Sequence, residues 1–176
     1  MIRTLFKKYW IHLVLWMAIL AYFLYAPDVV NAFLTKNGKP LSNDRPLPSD
    51  SKRISFGLMS LDPYTKDGEI LYNLAGWSLI FPEEGQPVGS FEREVVLRSE
   101  DGEKYIFPIT HVFPVANEDD PGFNVLIGED VLKPGKYRVG LIFRDQSTGE
   151  EFFWDRPVYH LIKTPNTLRL DGKPGP

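Results

Sequence analysis

The sequence contains no cysteine, which excludes disulfides, thiolate nucleophiles and cysteine-ligated zinc. Any folded part must therefore rest on a hydrophobic core. Histidine is scarce as well, with His12, His111 and His160 as the full complement. No Gly-x-Ser-x-Gly elbow, phosphate-binding glycine loop or dinucleotide fingerprint occurs. A hydrolase triad needs a base held beside a nucleophile, and neither histidine outside the N-terminal region is placed for that. His111 falls on the apolar face of its strand and His160 sits between Tyr159 and Leu161, so both read as core or edge residues. No cofactor is expected, and the chain reads as a non-enzyme.

Long apolar runs are missing too, with one exception. Residues 9–26, opening at Tyr9 and closing at Ala26, carry a single acidic or basic side chain, His12. Eighteen helical residues reach roughly 27 Å, close to the hydrocarbon thickness of a bilayer. The expectation is a transmembrane helix that contacts the lipid bilayer through Tyr9 to Ala26. Tyr9, Trp10, Tyr22 and Tyr25 lie toward its two ends, where amphipathic rings suit the headgroup layer. A cleaved signal peptide is the competing reading, but its core is shorter, and the one small-residue candidate, Ala26, is followed by Pro27. An uncleaved signal anchor is favoured. The apolar stretch resumes over 29–34, so the helix either extends or is kinked or ended by Pro27. His12 reads as an interfacial residue.

Basic residues flank both ends of this segment. Arg3, Lys7 and Lys8 precede it and Lys36, Lys39 and Arg45 follow, so the positive-inside rule gives a near tie. Lys7 and Lys8 abut the apolar core, which favours a cytoplasmic N-terminus and an extracytoplasmic C-terminal part at the cell membrane. Residues 1–8 then form a short cytoplasmic tail and 9–34 the helix with an interfacial extension. Residues 35–53, rich in proline, glycine and polar side chains, read as a flexible linker that lifts the rest off the membrane. Residues 171–176 read as a disordered tail.

Residues 54–176 carry 12 basic and 20 acidic side chains, a formal charge of −8. Nucleic-acid binding draws its affinity from lysine and arginine on phosphates, so no nucleic-acid partner is expected. From Ile54 onward the apolar period is two. Tyr137, Val139, Leu141 and Phe143 alternate with Lys136, Arg138, Gly140 and Ile142, and Phe91, Val95 and Leu97 alternate with Glu92, Glu94 and Arg98. Tyr105, Phe107 and Ile109 share another face. Further strands are expected over 54–61, 70–81, 123–127, 151–154 and 158–163, with turns at Asp101-Gly102, Pro121-Gly122, Pro134-Gly135 and Thr148-Gly149. Seven or eight short half-buried strands argue for an all-β, two-sheet antiparallel sandwich over residues 54–170.

Leu132, Pro134, Gly135 and Tyr137 spell L-x-P-G-x-Y. This resembles the turn and following strand of immunoglobulin-like and fibronectin-type modules, and the resemblance implies that Tyr137 packs into the core of an immunoglobulin-like sandwich. The Cys-Trp-Cys signature of antibody domains is missing, which rules out that branch. Ala75, Gly76, Trp77 and Ser78 loosely resemble a Gly-Trp strand motif of sandwich modules on bacterial envelope and glycan-related proteins.

Three places hold side chains suited to a ligand. Glu118, Asp119 and Asp120 are consecutive carboxylates before a turn, weak metal candidates because calcium loops space their acids at alternate positions. Trp77 is either the central core aromatic or an exposed ring. Phe152, Phe153 and Trp154, followed by Asp155 and Arg156, cannot all face inward on a regular strand. At least one of them is expected to be exposed or covered by a partner. The expected function is a membrane-anchored, non-enzymatic interaction module at the extracytoplasmic face, an accessory subunit contacting other membrane or envelope proteins. The alternative is a cell-surface module that binds glycan through Trp154 or Trp77.

Overall fold

A period of two buries one face of a strand, and two such faces closed on each other make a sandwich. The computed structural model describes residues 2–49, 53–81, 91–114 and 121–172. The chain divides into two compact units, Met1–Phe33 and Leu34–Pro176. The first consists of most of one helix, α1 (Ile2–Lys36), which runs through Pro27 without a break. Its described side chains are exposed right round the wheel, Leu13, Val14, Leu15 and Trp16 among them.

Among the described residues no helix is long and apolar enough to cross a membrane, so the transmembrane helix and signal anchor expected over residues 9–26 gain no support.

The second unit holds nine described strands: β1 (Ile54–Lys66), β2 (Glu69–Ile80), β3 (Phe91–Ser99), β4 (Lys104–Pro108), β5 (His111–Pro114), β6 (Pro121–Gly128), β7 (Gly135–Asp145), β8 (Glu151–Lys163) and β9 (Leu168–Asp171). They form two antiparallel sheets, β1-β2-β6-β5 and β4-β3-β7-β8-β9. The inner faces meet in one core built around Phe56, Leu74, Val95, Phe107, Phe123 and Leu141. The all-β sandwich expected from the alternation is present.

Several boundaries differ from the sequence reading. The β1–β2 hairpin runs to Lys66 and Glu69 because Asp67 and Gly68 both take positive φ, 52° and 85°, as a two-residue type I′ turn requires. Pro121-Gly122, expected as a turn, opens β6 opposite Pro114 and Phe113. The two segments expected around Pro157 are one strand. Val139 pairs with Arg156 and Arg138 with His160, so Pro157, which cannot donate to a ladder, falls in the bulge between them. Asp171, placed in a disordered tail, is the last residue of β9, where it pairs with His160.

The flexible linker expected over 35–53 is largely bound to the sandwich. Helix α1 ends in a Schellman-type cap, with Gly38 at φ 63° and Lys39 N–H donating to Leu34 C=O at 3.0 Å. Gly38 C=O then accepts from Gly128 N–H at 2.8 Å. A Cβ on Gly38 would collide with the Gly128 backbone, so glycine is needed here for space as well as for φ. Further on, Leu41 N–H donates to Ile106 C=O at 2.7 Å, and Ile106 N–H to Ser42 C=O at 2.9 Å. Phe153 N–H reaches Ser49 C=O at 3.4 Å. The segment is a strap across the outside of the five-stranded sheet. Its composition looked like a spacer because its polar and proline residues are satisfied by a sheet that lies far along the chain.

Candidate functional site

The strap explains Phe153. On β8 the rings of Phe152 and Trp154 point inward and pack against the core at its margin, while Phe153 points outward. It is nonetheless 2% exposed, because it joins Val96, Ile106 and Ile142 in a second small core against which Leu47 of the strap packs. The expected covering partner is the chain's own segment. Arg53 also stands over the Phe152 ring, 4.8 Å from its centroid, and its Nε donates to Phe81 C=O at 3.0 Å.

Around that small core the outer face of the five-stranded sheet is charged. Arg45 of the strap pairs with Glu94, and Arg98 with Asp155. Arg144 lies between Glu151, accepting from its Nε at 2.8 Å, and Glu92 at 3.7 Å. His160 lies on this sheet too; burial first, then Lys136 and Arg138, hold its imidazole below the ordinary histidine range. Glu92, Glu94, Glu151 and Asp155 thus each face an arginine.

Tyr137 sits at the entry to β7. Its hydroxyl donates to Lys133 C=O at 2.8 Å, and its ring meets Tyr105 edge to face with centroids 6.0 Å apart. Burial, followed by the nearby Tyr105 and Glu103, pushes its pKa up to about 12. Glu103 accepts from the Tyr105 hydroxyl at 3.0 Å and pairs with Lys133. These links close the sandwich at that end, so Tyr137 is structural.

The outer face of the four-stranded sheet is of another kind. One row across it reads Gly57, Trp77, Gly122, Phe113, in register from β1 to β5. Each ring lies over a glycine: a Cβ at Gly57 would stand 2.5 Å from Trp77 Nε1, and one at Gly122 2.6 Å from Phe113 Cζ. The glycines let large rings lie flat on the sheet and cover an otherwise bare backbone. His111 stacks on Phe113, with centroids 6.3 Å apart and planes 18° from parallel. The next row is Ser60, Ala75, Asn124 and His111, and the one after is Asp62, Asn73 and Leu126. Between the Leu79 row and the Asp62 row, no described side chain of this face is a carboxylate, ammonium or guanidinium.

Beyond Trp77 the face runs into a groove of about 390 Å³ lined by Asp62, Tyr64, Lys66, Asn73, Asn124 and Leu126, with Thr110 at its edge. Sequence reading found Trp77 and missed Phe113, Tyr64, Asn73 and Asn124. The Asp67-Gly68 turn was the available signal. It extends β1 to Tyr64 and fixes the register that places Asp62 beside Asn73.

Of the other expected site residues, Glu118, Asp119, Asp120 and the side chain of Arg156 lie outside the described residues. Among the described residues no group of three acidic or imidazole side chains converges as a metal site would require. Comparison with known proteins finds no matching family model, no matching curated protein and no matching solved structure.

Proposed function

We propose that this chain is a membrane-anchored, non-enzymatic interaction module of the extracytoplasmic face, an accessory subunit in an envelope complex, whose contact surface is the outer face of the four-stranded sheet. The observation that carries the reading is the Trp77–Phe113 face: ring-bearing and, among the described residues, neutral and without a strap, on a domain whose opposite face is ion-paired and covered by its own chain. Aromatic rings in a neutral patch are the usual anchors of a contact surface.

The sandwich is read as immunoglobulin-like. Its order, β1-β2-β6-β5 against β4-β3-β7-β8, corresponds to the two sheets of that class, and the Tyr137 hydroxyl bonded back to Lys133 C=O corresponds to its tyrosine corner. The anchor is read from the unbroken helix, from Leu13, Trp16, Met17 and Leu20 all exposed on it, and from the basic residues Arg3, Lys7 and Lys8 before it. A helix apolar on all sides demands an apolar surround.

Two measurements test this. The full chain should stay with membranes through alkaline carbonate extraction, and protease added outside should reach the sandwich; release into the supernatant overturns the anchor. A photo-crosslinker at Phe113 should give a discrete adduct in membranes that one at Arg138 does not. A strictly monomeric protein in mild detergent with no adduct at either site overturns the interaction module.

A further inference from the structure

The groove at the far end of the neutral face holds chemistry that the fold does not use. Asp62, Asn73 and Lys66 come from the β1–β2 hairpin and Asn124 and Leu126 from β6. The ladder pairs β2 on both sides, and β6 on both sides as far as Asn124. Thr110 is spoken for as well, since its N–H and Oγ1 both donate to Asn124 C=O, at 2.8 and 2.9 Å. The side chains of Asp62, Lys66, Asn73 and Asn124 have no hydrogen bond or ion pair recorded with another described residue. Asn73 and Asn124 are diagonal neighbours on adjacent strands, about 7 Å apart at Cβ, within reach of one small ligand. The Tyr64 ring is 47% exposed beside them.

From this geometry we infer that the groove binds a segment of an uncharged oligosaccharide, with Asn73, Asn124 and Asp62 holding hydroxyls and Tyr64 lying on a sugar face. The inference rests on the reading of this face as the contact surface. Each carboxamide offers donors and an acceptor together, which is what a hydroxyl, itself donor and acceptor, requires. Asp62 accepts further hydroxyl protons and Lys66 donates to oxygen. These two charges cancel, so the groove is formally neutral and favours neither cation nor anion, while the −8 of the surrounding residues 54–176 disfavours anions. Leu126 and the Tyr64 ring supply apolar surface for the carbon-bound hydrogens of a pyranose. The volume lies at the lower end of the range for small-molecule sites, about 300–1,000 Å³. An extended peptide would add to free edge backbone, which lies along the edge strand β1 and along β6 beyond Asn124, and not under the face that carries the side chains of Asn73 and Asn124.

The test uses the full chain in lauryldimethylamine oxide, a detergent without a sugar headgroup, titrated calorimetrically with cellotetraose, chitotetraose, maltotetraose and mannotetraose. At least one is expected to bind with a dissociation constant of about 1 mM or tighter. Asn73→Ala, Asn124→Ala and Tyr64→Ala should each weaken it about tenfold, a difference of about 1.4 kcal/mol. Arg138→Ala, on the other sheet, should bind as the parent does. Thermal melts of each variant separate lost binding from lost folding, and Asn73→Gln, which keeps the carboxamide, should retain more affinity than Asn73→Ala. No heat from any of the four sugars at about ten times that concentration overturns the inference, as does equal binding by the Asn variants, or heat from a Gly-Ser peptide of similar length instead. If the sugars fail while the Phe113 crosslink persists, the interaction module stands and only its ligand class falls.

Discussion

The sandwich has two outward faces, and they have been finished in opposite ways. On the five-stranded sheet, Phe153, Ile106, Val96 and Ile142 point away from the main core and would be an apolar patch, but residues 41–49 lie across them and Arg45 ties the strap to Glu94. On the four-stranded sheet the comparable rings, Trp77 and Phe113, lie flat over Gly57 and Gly122 with no strap above them among the described residues. A large ring on an outward face is thus weak evidence by itself. What distinguishes the two faces is whether the chain returns to cover it.

Phe153→Ala should give the largest effect. The side chain is 2% exposed between strap and sheet, and truncating a buried phenylalanine costs about 3–5 kcal/mol. Trp77→Ala should cost about 1–2 kcal/mol, since its ring is only part-buried, lying over Gly57. Urea denaturation of both variants measures the difference. Equal costs would mean that the two faces are not differently covered.

Arg45→Ala comes next and asks whether the strap is held or merely adjacent. The Arg45–Glu94 pair is part-buried, with side chains 27% and 16% exposed, between the surface case worth at most about 1 kcal/mol and the buried case worth several. A loss of about 1–2 kcal/mol is expected, together with faster amide exchange at Leu41 and Ile106. In a Glu94→Gln background the loss should shrink, as a double-mutant cycle requires. No change in exchange at either amide would show that the strap is held without the ion pair.

Tyr137 belongs to neither face and serves as the control. Tyr137→Phe removes the bond to Lys133 C=O and should cost about 1 kcal/mol while leaving the crosslinking pattern at Phe113 unchanged. The native pKa, about 12, lies above the ordinary value of 10.0. The unfolded chain therefore gives up the proton first, so the contribution is intact below pH 10 and is lost as pH rises toward 12. Alkaline unfolding monitored by circular dichroism should be less steep over that window in Tyr137→Phe.

The sequence was legible where a local rule sufficed. Alternation at Tyr137, Val139, Leu141 and Phe143 reads as a strand because the period of two belongs to the backbone itself, and L-x-P-G-x-Y marked the Tyr137 entry turn. The strap was not legible, because Leu41, Arg45 and Leu47 are satisfied by Ile106, Glu94 and Phe153, all distant in the chain. Phe152, Phe153 and Trp154 were correctly seen to divide between faces, but no local signal says that the outward ring is already covered. The groove was hidden for a related reason. Asn73 and Asn124 are unremarkable polar residues until strand register makes them neighbours.

Glu92→Gln should give the smallest effect. Arg144 stands 3.7 Å from Glu92 and bonds Glu151 through its Nε at 2.8 Å. Its pKa is raised chiefly by the Glu151 bond, with Glu92 the least of the contributing charges. Glu92 is 57% exposed, so water screens the pair and the side-chain entropy of holding it nearly offsets the attraction. A change within about 0.5 kcal/mol is expected, disappearing in about 1 M salt, where screening acts over only about 3 Å. A loss above about 1 kcal/mol that survives salt would mean that the ion pairs of this face hold the sheet together. The charged face would then owe its form to stability, and its contrast with the neutral face would say nothing about where a partner binds.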